Sequence, residues 1–316
     1  MTAPCWLSII RLRTGLHRLL QACITATAAL AALTPAATVH AAADTAVSAI
    51  DDNGQRISLP SAAKRIISLA PHVTELLYAA GAGPAVVGVS AWSDYPPPAQ
   101  KLPVVADGSR LDLERIINLK PDLVIAWKSG SSARQVDRLR KLGLTVFESE
   151  PHNFEDIARS LERFSILAGT TEGKRAATEF RKGLQHLRHQ YADRQKVSVF
   201  YQIWPSPLMT LNGKHMVSAA LRLCSASNIF ANLTQLAPIV STESVVSADP
   251  DAIIITDERS TARDRWRSFT ALKAVRHENL FSVNGSLINR AGPRILEGAA
   301  QLCEHIDTAR SHLIRD

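Results

Sequence analysis

Three tryptophans fall directly after predicted strands, where a binding site is expected. Trp92, Trp127 and Trp204 follow the apolar runs VVGVSA, PDLVIA and KVSVFYQI. Open α/β sheets bind ligands at the carboxyl ends of their strands, so a cleft position is favoured over core packing, the alternative. Such indoles would hold a large planar ligand by stacking and apolar burial. Arg290, in the polar loop NGSLINRAGPR, could donate a charged hydrogen bond to an amide or carboxylate.

Two glutamates occupy equivalent positions of an internal repeat. The pattern Glu-x-[Ile/Val]-[Ile/Val]-x-x-x-Pro-Asp-x-[Ile/Val]-Ile begins at Glu114 (ERIINLKPDLVI) and again at Glu243 (ESVVSADPDAII). Each copy predicts a short helix, a Pro-Asp turn and a buried strand, which indicates two copies of one architectural unit. Interaction with a helix dipole would explain each carboxylate alone. Their repetition favours a matched pair that meets arginines from two copies of a symmetric partner.

Common catalytic signatures are missing from the sequence. It contains no GxGxxG, Walker loop, HExxH, CxxC pair or GxSxG elbow, which disfavours nucleotide chemistry and hydrolysis. His72 and His215 lie near predicted loops and could approach a ligand, although a lone loop histidine is more often solvated or structural. We therefore expect a binding protein, not an enzyme, with no resident cofactor and no metal site.

Residues 1–43 are predicted to be a secretory signal peptide. Three arginines, the last of them Arg18, precede an acid-free stretch from Leu19 to Ala43 that ends in small residues. A membrane anchor is the alternative, but Thr34-Pro35 interrupts the apolar run before it reaches the length that a bilayer requires. Loss of the three arginines would lower the formal net charge from +7 to +4. The remaining charges are interleaved along predicted helix faces, which argues against a nucleic-acid partner.

Two of the four cysteines, Cys5 and Cys23, lie in the predicted signal peptide. Cys224 and Cys303 remain, and an even number in an oxidising compartment favours a disulfide between them. Two unpaired buried cysteines are the alternative.

The remaining sequence alternates predicted strands and helices, as in a doubly wound α/β fold with mainly parallel strands. An Asn-Gly pair at Asn53 predicts an early hairpin. TEGKRAATEFRKGLQHLRHQY, ending at Tyr191, breaks the alternation as one helix of about 30 Å, long enough to join two lobes. We predict an amino-terminal lobe (44–168), a connecting helix (169–193) and a carboxy-terminal lobe (194–316), which form a stiff clamp around a cleft. One helix is expected around Arg265–Val275.

Several stretches resemble the periplasmic cobalamin-binding proteins of ABC importers, a branch of the helical-backbone substrate-binding proteins that also includes siderophore and haem receptors. They are RIISLAPHVTELLYAAG, VGVSAWSDYPPPAQ, LDLERIINLKPDLVIAWKSG, RQVDRLRKLG and NRAGPRILEGAAQLC. The resemblance covers nearly the whole chain from Lys64. It implies two Rossmann-like α/β lobes joined by one long helix, with the ligand in the interlobe cleft. It also implies a monomer in the periplasm that delivers a corrinoid to an ABC permease dimer.

The resemblance assigns roles to individual residues. Glu114 and Glu243 match carboxylates that dock on arginines of the permease, and Cys224 and Cys303 match a family disulfide. The ligand-binding set that it indicates, together with the strand-end positions, is Trp92, Tyr95, Trp127, Trp204, Ser286, Asn289 and Arg290.

The sequence also departs from the family pattern. Gly108 and Ala237 stand where a well-characterised cobalamin binder has cleft tryptophans, and Ser286 aligns with its acidic ligand contact. Trp204 would compensate for a lost indole. A corrinoid other than cobalamin, such as cobinamide, would suit a pocket altered in this way.

Two other cargoes and one enzyme class remain as alternatives. Haem would need an axial ligand such as His72, Tyr95 or His215, whereas a ferric siderophore favours several arginines in the cleft. A metal-dependent reductase on the same frame would need clustered cysteine or histidine ligands between the lobes.

Overall fold

The structure is a computed structural model that describes residues 45–108, 110–256 and 260–314, without the side chains of residues 260 and 261. The predicted signal peptide therefore lies outside the described residues. In the described part of the chain, no helix combines the length and apolarity needed to cross a membrane.

The amino-terminal lobe is built on a six-stranded sheet. Its strand order is β6-β5-β4-β3-β7-β8, and every pair is parallel except β5 with β6. The elements are β1 (Val47–Ile50), β2 (Arg56–Leu59), β3 (Ile66–Ser68), α1 (Pro71–Ala79), β4 (Val86–Ser90), β5 (Val104–Asp107), β6 (Arg110–Leu111), α2 (Leu113–Asn118), β7 (Leu123–Trp127), α3 (Ala133–Lys141), β8 (Val146–Ser149) and α4 (Phe154–Ala168). Two 3-10 turns occupy Gly83–Ala85 and Pro97–Lys101.

A 20-residue helix, α5 (Glu172–Tyr191), leads to the second lobe. That lobe contains a parallel sheet of order β12-β9-β13-β14. Its elements are β9 (Val197–Gln202), β10 (Trp204–Pro205), β11 (Leu208–Met209), α6 (Met216–Leu223), β12 (Ala226–Asn228), α7 (Thr242–Ala248), β13 (Ala252–Ile255), α8 (Ser260–Arg267), α9 (Lys273–Arg276), β14 (Leu280–Ser282), α10 (Gly285–Ile288) and α11 (Ile295–Leu313). The predicted fold class, two α/β lobes joined by a long helix, is confirmed.

One apolar core extends through both lobes. A single cluster of buried side chains includes Ile66 of β3, Leu161 of α4, Phe180 of α5, Leu221 of α6 and Leu302 of α11. Separate clusters line the outer faces of the two sheets. Because interiors are close-packed and resist deformation, a shared core limits how far the lobes can move apart.

The sequence repeat corresponds to a structural repeat. In each copy a short helix, α2 or α7, leads through a Pro-Asp turn into a buried strand, β7 or β13. The Asp122 carboxylate accepts hydrogen bonds from the N–H groups of Lys64 and Arg65, at 2.7 and 2.9 Å, before β3. Asp251 likewise accepts from Ser198 N and Oγ in β9, at 2.8 and 2.7 Å. The aspartate of each repeat thus ties its strand to the neighbouring central strand.

The prediction of one helix around Arg265–Val275 is wrong, because the chain forms two separate helices in this region. α8 ends at Arg267, and the chain turns before α9 begins at Lys273. The indole of Trp266 is fully buried and donates to Gln202 Oε1 at 2.7 Å, which fixes the end of α8. Asp249 Oδ1 accepts at 2.8 Å from the backbone N–H of Lys273, the first residue of α9, and so satisfies a donor that has no partner within the helix.

Cys224 and Cys303 form the disulfide that the sequence favours. Their Cα atoms are 4.8 Å apart, and the bond joins the end of α6 to α11 across a sequence separation of 79. Both residues are fully buried, so the bond lies inside the core of the carboxy-terminal lobe.

Candidate functional site

The candidate site lies where the order of strands reverses in the amino-terminal sheet. The chain proceeds from β3 outward to β4 and β5, and then returns to place β7 on the other side of β3. Crevices that bind ligands form at the carboxyl ends of strands at such a reversal. Pro71 and His72 follow β3 and Trp127 ends β7, so the reversal brings them together.

A cavity of about 210 Å³ occupies the cleft between the lobes at this point. The carboxy-terminal lobe contributes three segments, from the start of α6, the loop before α7 and the loop after α10. The lining residues are Pro71, His72, Trp127, Ser129, Glu150, Pro151, His152, Lys214, His215, Met216, Leu236, Asn289, Arg290 and Ala291. Eight of these fourteen residues have polar or charged side chains, and the other six, including the indole of Trp127, are apolar.

Trp127 is held on several sides while part of its ring remains exposed. Its indole meets the imidazole of His72 edge to face, with ring centroids 5.3 Å apart. The indole Nε1–H donates to Glu150 Oε1 at 3.3 Å. The side chain is 38% exposed, which leaves indole surface available to a ligand in the cleft.

Two neutral histidines face the cavity, one from each lobe. Burial, reinforced by the charge of Arg290, lowers the pKa of His72 to about 4. Burial also lowers the pKa of His215 to about 4. The Nδ1 atom of His215 accepts a hydrogen bond from Val217 N at 3.1 Å, so the proton of the neutral ring lies on Nε2. The Nε2 atom of His72 is buried without a hydrogen-bond partner.

We expect the protein to lose stability between pH 6.5 and pH 4. In the unfolded chain both histidines would bind protons as the pH falls through about 6.5, whereas in the folded protein they stay neutral until about pH 4. The unfolded state therefore binds more protons across this window, and the free energy of unfolding falls by on the order of 3 kcal/mol for each histidine. Urea unfolding at pH 7 and pH 4.5 measures the loss.

The His72→Gln variant should show a shallower pH dependence over the same window. His189→Gln, on the exposed face of α5, is the matched control. An unchanged slope in His72→Gln would contradict the role assigned to this ring.

Beside the cavity, four charged side chains form an interlobe ion network: Glu75, Asp94, Arg290 and Arg294. Glu75, whose side chain is 2% exposed, accepts from Arg294 Nη2 at 2.6 Å, Arg294 Nε at 3.0 Å and Arg290 Nη1 at 3.3 Å. Arg290 Nη1 also donates to Asp94 Oδ1 at 2.6 Å, and this hydrogen bond holds the pKa of Asp94 below its usual value. The network joins α1 and the loop after β4 to the loop before α11.

Three of the seven predicted ligand-binding residues line the cavity, namely Trp127, Asn289 and Arg290. Asn289 Oδ1 accepts from the hydroxyl of Tyr201 at 2.9 Å. The guanidinium of Arg290 is shared between the cavity wall and the interlobe ion network, so its free hydrogen-bonding capacity is reduced.

The other four predicted residues lie outside the lining of this cavity. Trp92 is 78% exposed, and its carbonyl accepts from Arg290 Nη2 at 3.1 Å. The ring of Tyr95 lies 3.8 Å from the guanidinium carbon of Arg294 and borders a separate groove of about 540 Å³. Trp204 is 58% exposed in a two-residue strand, and Ser286 is exposed in α10.

The site also contains a residue that the sequence analysis did not single out, Glu150. It comes directly after β8, next to the adjacent β7 that Trp127 ends, so the strand-end rule applied to polar residues would have found it. β1 and β2 pair antiparallel as an amino-terminal hairpin, and its turn residue Asp52 fixes the backbone of Glu150, whose N–H donates to Asp52 Oδ2 at 2.6 Å. Both lobes contribute side chains to the site, an arrangement typical of a two-lobed substrate-binding protein.

Comparison with known proteins gives the family. The sequence profile described as periplasmic binding protein matches residues 66–285, and the chain belongs to this family. The chain is 40% identical over 256 residues to the vitamin B12-binding protein of Vibrio cholerae serotype O1, covering 80% of this chain and 93% of that protein.

Solved structures agree on the fold. The crystal structure of the periplasmic vitamin B12 binding protein BtuF of Vibrio cholerae superposes with a TM-score of 0.75 at 41% identity, over 78% of this chain and 98% of that chain. The periplasmic heme-binding protein RhuT from Roseiflexus sp. RS-1, in its apo form, gives a TM-score of 0.69 at 20% identity, over 78% and 99% of the two chains. At that identity the second likeness concerns the fold alone.

Proposed function

We propose that this protein is the exported substrate-binding component of an ABC importer, which captures a corrinoid in the interlobe cleft and delivers it to a permease dimer. The observation that carries the proposal is the cavity between the lobes, lined by Trp127 at the strand reversal, in a chain 40% identical to a vitamin B12-binding protein. The protein would work in the periplasm as a monomer after loss of residues 1–43. Binding requires no covalent chemistry.

The dimensions of the cavity indicate how binding would proceed. Its volume of about 210 Å³ is below the range of about 300–1,000 Å³ typical of small-molecule sites. A tetrapyrrole would therefore widen the cleft by moving rim side chains such as Leu236 and Lys214, while the shared core limits the separation of the lobes. Trp92, Tyr95, Trp204 and Ser286 would then contact parts of the ligand that extend beyond the cavity.

Glu114 and Glu243 are proposed as the docking residues. Both are exposed in the first turn of a short helix, Glu114 in α2 and Glu243 in α7. The structural repeat places one on each lobe, so a permease with two equivalent basic patches would meet a matching pair of carboxylates. Hydrogen bonding to its own backbone N–H and to Ser241 keeps the pKa of Glu243 low, so the residue is charged in the periplasm.

We expect the double variant Glu114→Ala, Glu243→Ala to abolish uptake while ligand affinity is retained. Neither carboxylate lines the cavity, so only recognition of the permease should be lost. Uptake of labelled corrinoid by cells that carry the cognate permease measures the effect, and titration of the purified variant measures affinity. Glu179→Ala, Glu304→Ala is the matched control, because both glutamates are exposed on helices. Normal uptake by the first double variant would refute the docking assignment.

Identification of the ligand that co-purifies from the periplasm tests the cargo. A corrinoid gives a cobalt-corrin absorbance spectrum, which is readily distinguished from the Soret band of haem. We expect the corrinoid spectrum, with more retained ligand in the unmodified protein than in Trp127→Ala. Recovery of haem or of a ferric siderophore would overturn the assignment.

Haem is the second candidate, and the two cavity histidines favour it. A neutral imidazole nitrogen is a good iron ligand, and His72 has a buried Nε2 atom without a partner. A ligand-field shift of bound haem that disappears in His72→Ala would establish this alternative. A siderophore is less well supported, since Arg290 is the sole arginine among the described cavity-lining residues and is already paired.

A further inference from the structure

The position of Trp127 depends on its contacts with Gly130 and Glu150. We propose that Gly130 and Glu150 are positioning residues that together form a seat for the Trp127 indole and set the face that it presents to the ligand. The inference rests on the proposed function only for its effect on affinity. The seat itself is a property of the protein without ligand.

Gly130 forms the floor of the seat. The chain turns sharply after β7, with Ser131 N donating to Trp127 O at 2.8 Å, and this turn lays Gly130 against the six-membered ring of the indole. A Cβ atom at residue 130 would overlap the ring atoms Cε3, Cδ2 and Cζ3 of Trp127. Any side chain at this position therefore forces the indole out of its present orientation.

Glu150 forms the side wall. Oε1 accepts from the indole Nε1 of Trp127 at 3.3 Å and from Ser129 Oγ at 3.0 Å, while Oε2 accepts from Ser129 N at 2.7 Å. One carboxylate thus fastens both the ring and the turn that carries Gly130. Its own backbone is anchored to the hairpin by Asp52.

His72 packs against the ring from the remaining side, in the edge-to-face contact described above. Because Gly130, Glu150 and His72 contact the indole from three sides, the Trp127 side chain, which has only two rotatable bonds, can adopt few orientations. An aromatic anchor that is already ordered loses little conformational entropy on binding, which raises affinity without adding contacts.

Gly130→Ala should weaken corrinoid binding roughly tenfold or more, as expected when an aromatic anchor is displaced. Glu150→Gln should weaken it less, because the isosteric amide keeps part of the hydrogen bonding. The defining test is a double-mutant cycle. In a Trp127→Ala background, Gly130→Ala should have no further effect on affinity for cyanocobalamin, since there is no ring left to displace.

Gly183→Ala, on α5 and away from the cavity, is the matched control, since its added methyl group meets a single flexible methyl group of Leu296. An undiminished effect of Gly130→Ala in the Trp127→Ala background would overturn the proposal, because Gly130 would then act on the pocket by another route.

A second measurement needs no ligand. The emission of the protein minus that of Trp127→Phe isolates Trp127, and the same difference can be taken in the Gly130→Ala and Glu150→Gln backgrounds. The isolated emission should shift to the red and become more accessible to acrylamide in both variants. Unchanged emission and quenching would refute the seat. Failure of the unmodified protein to bind cyanocobalamin would refute only the proposed cargo, and not the positioning roles of Gly130 and Glu150.

Discussion

Replacing Glu75 by Ala should lower the free energy of unfolding by about 3–5 kcal/mol, as is typical when one partner of a buried ion pair is removed. Glu75 is the only one of the four network residues whose side chain is nearly inaccessible, at 2% exposed, and it accepts three hydrogen bonds from Arg290 and Arg294. Without it, two guanidinium groups that are 16% and 18% exposed would keep the Asp94 carboxylate, the Trp92 carbonyl and the ring of Tyr95 as partners.

Urea unfolding of the purified protein measures this loss. Glu155→Ala is the matched control, because Glu155 also pairs with an arginine, Arg181, but its side chain is 50% exposed. An exposed pair contributes about 0–1 kcal/mol, so the control should lose little. Equal losses in the two variants would show that the interlobe ion network adds nothing beyond an ordinary surface pair.

The network also bears on the cleft. Arg290 belongs both to the network and to the cavity wall, so loss of Glu75 should loosen the loop that carries Asn289 and Arg290. The Glu75→Ala variant should therefore bind ligand more weakly even under conditions where it is fully folded. This couples the stability of the clamp to the shape of its pocket.

Reduction of the Cys224–Cys303 disulfide should lower the free energy of unfolding by about 4 kcal/mol. This is the second of the two largest effects that we expect. Closing a loop between residues 79 apart in sequence restricts the unfolded chain, and loop-closure estimates give a stabilisation of this size. The comparison is best made on one protein, by urea unfolding with and without reductant, because no side chain is then changed.

In Cys224→Ala, Cys303→Ala the reductant should have no effect, which isolates the disulfide from general effects of the reagent. A free energy of unfolding that is the same for the oxidised and reduced protein would contradict the prediction. Ligand affinity should survive reduction of the folded protein, because neither cysteine lines the cavity.

The fold could be predicted from the internal repeat and from the alternation of strands and helices, because both patterns depend on residues that are close in sequence. In both lobes a Pro-Asp turn after a short helix predicts a buried strand. In both, the aspartate carboxylate accepts a hydrogen bond from a backbone N–H group of the neighbouring segment. The long helix α5 was visible as an uninterrupted helical pattern. These signals need no knowledge of which strands are neighbours.

The candidate site could be predicted only in part, because its position depends on which strands are neighbours. Every strand end was an equal candidate, but the cavity forms where β3 and β7 adjoin, and Trp127 ends one of those strands. Trp92 follows β4, one strand away from the reversal, and its positive φ of 65° accompanies a side chain that is 78% exposed. Strand order is a property of the whole fold that the local sequence does not encode.

The interlobe ion network could not be predicted from the sequence, because its members are far apart along the chain. Glu75 lies 215 and 219 residues from Arg290 and Arg294, its partners, within a helix that otherwise looks like part of the core. No spacing rule connects groups so far apart. Glu150, by contrast, occupies a strand end next to Trp127, and attention to polar as well as aromatic residues at those ends would have found it.

The most direct test of the central claim is an equilibrium titration of the purified protein with cyanocobalamin, cobinamide and haemin, followed by tryptophan emission and by calorimetry. We expect saturable binding of a corrinoid at a single site, weakened at least tenfold in Trp127→Ala, and unaltered in Glu114→Ala, Glu243→Ala. Absence of saturable binding to both corrinoids, or tighter binding of haemin that depends on His72, would contradict the assignment of this cleft to a corrinoid.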